Sequence, residues 1–213
     1  MVYNGYMKKA SLFLLLLFSF NSVIHSDEID FPPELLWWIN EAKKANNNIE
    51  VNNFVLAERE VKRFDTRNYS GFLIYPVFMR WNYSGNLIAY YNYHSAELTR
   101  QRNGKYLIHT FDDVGTLFIA DRNKNIFFAD HFGSMAGFDA IYWLRDYVLV
   151  GVGSIVNLVE NVDIFIKIYT INNSSNTVEI KTYHFENAFT IDDRNSLKLN
   201  WFQQRLDYFE LEY

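Results

Sequence analysis

The chain has 213 residues, of which 49% are hydrophobic and 18% aromatic, with nine Gly, three Pro and no Cys. This balance excludes a collagen, a low-complexity tail, a disulfide-stapled miniprotein and a highly charged disordered segment, and it supplies enough apolar surface for one sizeable core. Twenty basic against twenty-five acidic side chains give a formal charge of -5, which offers no broad attraction to a phosphate backbone, so nucleic acid is not an expected partner.

The first segment reads as an address. Lys8 and Lys9 precede an apolar run from Ala10 to Phe20, and Val23 and Ser26 occupy the -3 and -1 positions of a cleavage site. These are the parts of a Sec-type secretory signal peptide over residues 1–26, cut after Ser26. The run is shorter than the roughly 20 apolar residues a bilayer span needs, so no stable membrane anchor is expected after cleavage. Removal of Lys8 and Lys9 leaves 18 basic and 25 acidic side chains, a formal charge of -7. Without Cys the chain has no covalent staple, and its stability must come from burial. A Cys-free leader-bearing chain rich in Asn, Ile, Lys, Tyr and Phe suggests a bacterial secreted or periplasmic protein. The N-x-S sequons at Asn68, Asn82, Asn172 and Asn173 are then coincidental; in a eukaryote they would mark exposed loops.

Residues 27–213 are expected to form a single globular β domain with an N-terminal helix over 33–46. Pro33 suits a first helical turn, Glu34 the positive end and Lys43 and Lys44 the negative end, and Asn46, Asn47 and Asn48 stop the helix. Leu35, Trp38, Ile39 and Ala42 follow one apolar stripe that would pack on the body of the fold, with Trp37 off it. From residue 53 the signal changes to strand and turn. Residues 54–64 fit either period and are assigned as strand. Further strands are expected at 71–80, 87–93, 106–110, 116–120, 126–129, 140–144, 147–152, 164–171 and 177–184, rich in β-branched and aromatic residues and separated by Asn, Gly, Asp and Ser. Connections such as 121–125 and 172–176 are too short for parallel crossovers, so the fold class is all-β, mainly antiparallel meanders.

A faint repeat supports four-stranded units. Trp81 and Trp143, 62 residues apart, each open a strand followed by a hairpin, and Trp201 sits 58 residues further on. Residues 84–90 (Ser-Gly-Asn-Leu-Ile-Ala-Tyr) and 118–121 (Phe-Ile-Ala-Asp) are similar to blade segments of secreted TolB-like propellers, over about a quarter of the chain. The resemblance implies stacked four-stranded meanders, closed as a propeller or packed as a sandwich, and nothing about activity.

Few patterns carry chemistry. Residues 121–125 (Asp-Arg-Asn-Lys-Asn) open like a calcium loop, but Ile126 and Phe132 stand where the turn Gly and the bidentate Glu belong, which leaves a polar hairpin tip. Metal ligation has no case and no cofactor motif is present: Gly151 and Gly153 lack the third Gly and the βαβ setting of a dinucleotide site. Asp112, Asp113, Asp130 and His131 bring carboxylates and an imidazole close in sequence, although Ser134 is not in a nucleophile elbow and Asp112–Gly115 also reads as a turn. The most distinctive feature is aromatic density at Trp81, Tyr83, Tyr90, Tyr91 and Tyr93, where alternation puts Tyr91 and Tyr93 on one strand face beside Asn92 and His94. Rings with an apolar face and a polar tip suit peptide or glycan recognition as well as a core.

The reading that follows is an exported, non-enzymatic β-rich protein that binds an unknown protein, peptide or glycan through Trp81, Tyr83, Tyr91, Tyr93 and His94. One alternative is a small secreted hydrolase using Asp112, Asp113, Asp130 and His131, which requires those groups to converge. Another is a structural or assembly protein that pairs through strand edges.

Overall fold

The computed structural model describes residues 33–65, 79–92, 97–100, 106–109, 115–133, 135–157, 161–197 and 209–211. For the strands at 97–100, 106–109 and 209–211 only the backbone is described. The expected leader, 1–26, and residues 71–78 of the strand expected at 71–80 lie outside the described residues.

Helix α1 spans Pro33–Ala42. It is shorter than the expected 33–46, because residues 43–45 continue as a hydrogen-bonded turn, with the Lys44 and Ala45 N–H groups donating to the carbonyls of Glu41 and Ala42. Its stripe faces inward as the spacing requires: Leu35, Trp38, Ile39 and Ala42 are all buried. Twelve strands follow: β1 (Val55–Arg63), β2 (Met79–Trp81), β3 (Leu87–Asn92), β4 (Glu97–Arg100), β5 (Tyr106–His109), β6 (Gly115–Asp121), β7 (Ile126–Phe132), β8 (Ala136–Arg145), β9 (Val148–Val156), β10 (Asn161–Asn172), β11 (Thr177–Thr190) and β12 (Phe209–Leu211). A short helix, α2 (Ile191–Ser196), is set by a capping box in which Thr190 and Asp193 exchange side-chain and backbone hydrogen bonds.

The strands form sheets ordered β1-β11-β10-β9-β8, β2-β3-β6-β7 and β12-β5-β4. Among the described residues all pairings are antiparallel except β5 with β12. The repeat is therefore structural in its first two copies: Trp81 and Trp143 stand in the opening strands of two four-stranded meanders, β2-β3-β6-β7 and β8-β9-β10-β11. The described residues form no closed barrel, and Trp201 lies outside them.

The two meanders stack face to face. Leu87, Ala89, Tyr91, Leu117, Ile119, Phe128 and Phe132 of one meet Phe138, Ile141, Trp143, Leu149, Phe165, Tyr169 and Ile171 of the other in a single apolar cluster. Rings dominate it: Phe132 lies 4.6 Å from Phe138 and Tyr91 5.4 Å from Phe138, both edge-on. Room for these rings comes from the opposing backbone, since a Cβ on Gly151 would strike the Phe138 ring and one on Gly153 would strike the Gly137 carbonyl and the Phe165 ring. On the other face of the five-stranded sheet, Ala140, Tyr142, Val150, Val152, Ile164 and Ile166 receive the α1 stripe. Ile88, Tyr90 and Phe118, on the far face of the four-stranded sheet, are buried too.

Burial extends to one ion pair beneath the helix. A bulge between Phe138 and Ala140 turns Asp139 toward α1, where its carboxylate accepts from Trp38 Nε1 at 3.1 Å and from the Arg194 guanidinium of α2. Burial pushes the Asp139 carboxyl above its ordinary value, with Arg194 and Trp38 opposing the rise.

Candidate functional site

The tight turns that open the two meanders lie side by side. Asn82, fully surrounded, organises both: its Oδ1 accepts the N–H groups of Asn86 and Leu87 at 3.0 Å, and its Nδ2 is shared among Ser84 Oγ, Asn86 Oδ1 and the Asp146 carbonyl at 2.6 to 3.2 Å. Ser84 N–H donates to the Asp146 carboxylate at 2.7 Å, and Trp143 Nε1 donates to the Arg80 carbonyl at 2.8 Å. Gly85 closes the first turn at φ 68°, a left-handed conformation that favours glycine. An Asn82 whose amide makes these bonds has no room for a glycan, so that sequon is not a modification site. Asn82→Ala is expected to lower stability by about 2–3 kcal/mol, because two turn N–H groups and the Asp146 carbonyl lose their partner. Denaturant unfolding of the variant measures this.

On and beside these locked turns three large rings stand out of the surface, Tyr83 and Tyr147 in the turns and Trp81 at the end of β2. Tyr83 is 75% exposed, Trp81 48% and Tyr147 40%, whereas Tyr90 and Tyr91 next along the chain are buried. Among the described residues the Trp81 indole N–H and the Tyr83 and Tyr147 hydroxyls have no hydrogen-bond partner. Tyr147 is fixed by its own backbone, its carbonyl accepting from Ile171 N–H at 2.9 Å. Rigid backbone, exposed apolar faces and free polar tips are what a recognition surface supplies at low entropic cost.

The expected aromatic surface is thus divided. Trp81 and Tyr83 are on it. Tyr91 is not: it is 3% exposed, points between the sheets, and its hydroxyl oxygen accepts the Phe138 N–H at 3.1 Å. Alternation correctly sets Tyr90 and Tyr91 on opposite faces, but both faces of this sheet are covered. Tyr93 and His94 lie outside the described residues. Tyr147 was missed, although the repeat that aligns Trp81 with Trp143 carries the signal, since each Trp is followed within four residues by a Tyr in a tight turn.

The acid and histidine cluster does not assemble around Asp130 and His131. These neighbours alternate to opposite faces of β7. Asp130 is buried between the sheets, accepting from Lys167 Nζ at 3.0 Å and Tyr169 Oη at 2.6 Å, with Lys62 Nζ at 3.4 Å. Burial pushes its carboxyl up, but Lys167, Tyr169 and Lys62 outweigh burial and hold it below the ordinary value. The Tyr169 hydroxyl is driven well above its own ordinary value by burial and by the carboxylate it bonds. His131 is exposed, its Nδ1 3.0 Å from Thr116 Oγ1. A carboxylate neutralised by two ammonium groups and an imidazole facing away cannot work on one bond. Asp112 and Asp113 lie outside the described residues. Asp121 ties the hairpin tip, accepting from the N–H groups of Asn123 and Asn125 and from Asn125 Nδ2 at 2.8 to 2.9 Å. Partial burial raises its carboxyl, and these donors lower it further than burial raises it.

Among the described residues no group of three or more His, Asp or Glu side chains is placed to hold a metal ion, and no helix is long and apolar enough to cross a membrane. No family model, curated protein or solved structure matches the chain.

Proposed function

We propose that this chain is an exported, non-catalytic binding protein that engages another protein through Trp81, Tyr83 and Tyr147. The observation that carries the reading is the exposure of three unpaired rings on and beside turns fixed by Asn82 and Asp146. Tyr and Trp dominate the energetic centres of protein interfaces, because each brings large contact area with few rotors to freeze. The rings stand on and beside projecting turns, a shape suited to a complementary macromolecular surface. Export rests on the leader, and cleavage after Ser26 leaves an acidic chain suited to remaining dispersed outside the cell.

Tyr83→Ala is expected to leave unfolding within about 0.5 kcal/mol of the parent, since its ring is largely solvent-exposed, and Trp81→Ala, which removes a half-buried ring, to lower it by about 1 kcal/mol. Each is expected to weaken partner capture by tenfold or more, the size of an interface hot spot. Surface-plasmon titration against partners recovered by cross-linking from the exported fraction checks this. Equal affinity of both variants and parent would remove the proposal, and binding to immobilised oligosaccharides in place of proteins would change its partner class. Mass spectrometry of the exported chain tests the leader separately, with Asp27 expected as the first residue.

A further inference from the structure

A different part of the molecule carries a second site. Strand β11 outruns β1: their pairing ends at Val55 opposite His184, while β11 continues to Thr190. At this corner the surface opens into a cleft of about 390 Å³ lined by Asn53, Val55, Ala57, His184, Phe185 and Glu186. That volume lies within the range of small-molecule sites, and the lining joins an apolar wall to a few polar groups. Phe54 packs behind the wall with its ring 5.8 Å from that of Phe185.

We infer that the cleft binds a small organic ammonium ion carrying an apolar chain. The charges facing His184 decide the sign of the ligand. Glu58, Asp163 and Glu186 act on it as acids, against Lys167 as the one base. Lys167 is already committed to Asp130, and Asp163 accepts from Asn187 N–H at 2.7 Å. Among the described residues Glu58, Glu186 and the His184 ring have no hydrogen-bond or ion-pair partner. Glu186, a lining carboxylate without a cation beside an apolar wall, complements a cation with a hydrocarbon tail, and Glu58, outside the lining, adds negative charge from a greater distance. A metal ion is a poorer fit, because these side chains are not grouped closely enough to coordinate one point. Burial also pushes the His184 pKa below its ordinary value, more strongly than the acids raise it, so the imidazole is neutral at pH 7 and one ring nitrogen can accept an ammonium N–H.

The test is an NMR titration of the full chain with hexylammonium, read at the His184 imidazole, with hexanol as the uncharged probe of equal length. Hexylammonium is expected to move the His184 signals saturably, and hexanol to bind at least about threefold more weakly, as one solvent-accessible charge pair allows. Glu186→Gln, at an exposed lining residue, is expected to weaken hexylammonium by about threefold and Glu58→Gln, outside the lining, by less, while Trp81→Ala leaves it unchanged. Lowering the pH until His184 protonates is expected to weaken binding further, because the imidazolium repels the ligand. Absence of a saturable shift, equal affinity for hexanol and hexylammonium, or indifference to both Glu substitutions would each overturn the inference. Since it rests on none of the three exposed rings, it stands or falls apart from the partner surface.

Discussion

Replacing Asp130 by Ala is expected to remove about 3–5 kcal/mol of unfolding free energy, the cost of leaving buried charge without its counter-charge. The Lys167 side chain is 15% exposed and would keep its ammonium between the sheets without the carboxylate it bonds. The Tyr169 hydroxyl, fully enclosed, would lose its acceptor as well. Lys167→Met and Tyr169→Phe together with Asp130→Leu are expected to recover most of the loss, because an apolar set of similar volume avoids the desolvation of the ions and leaves no buried hydroxyl without an acceptor. The same carboxylate gives the acid response its sign. Its folded value lies below the ordinary 3.8, so its contribution is fully present above that value and disappears as pH falls through the depressed one. Urea unfolding from pH 7 to pH 2 is expected to show parent and Asp130→Asn converging in acid. Curves that stay parallel would show that the carboxylate is not stabilised by its neighbours.

Gly153→Ala is expected to cost about 3 kcal/mol, at the upper end of overpacking penalties. The added methyl would meet the Gly137 carbonyl of the adjoining strand, which cannot turn aside, and the Phe165 ring, which is held by Phe132 and Phe138. Gly151→Ala is expected to cost less, because what it meets is the Phe138 side chain alone. Near-UV circular dichroism should report the difference through the displaced rings, and a Gly153→Ala chain as stable as its parent would mean that β8 and the Phe165 ring shift freely at this point.

Much of this architecture could be read from local pattern. The α1 stripe is a period of 3.6 with no competing signal, and the Asn- and Asp-rich links are too short to do anything but return the chain on itself. The repeat was visible because each meander opens with Trp and a turn. The connections that escaped are those made through space. Nothing near Asp130 announces Lys167 or Tyr169, which lie 37 and 39 residues further on, and adjacency to His131 suggested a partnership that a strand's two-residue period forbids. Tyr91 misled for a related reason: alternation tells which face a ring takes, not whether another sheet covers that face. The Asp139 bulge has no local signature at all, because it answers to Trp38, 101 residues away. The cleft was invisible since it exists only where two strands of unequal length part company.

The pairing of β1 with β11 joins segments about 120 residues apart, as in the Arg59 to Glu179 contact. During translation the first strand therefore emerges long before its neighbour exists, and it must wait with Leu56 and its edge N–H and C=O groups unprotected. Loop closure over that span slows folding, and the waiting segment is the part of the nascent chain that a holding chaperone would meet first.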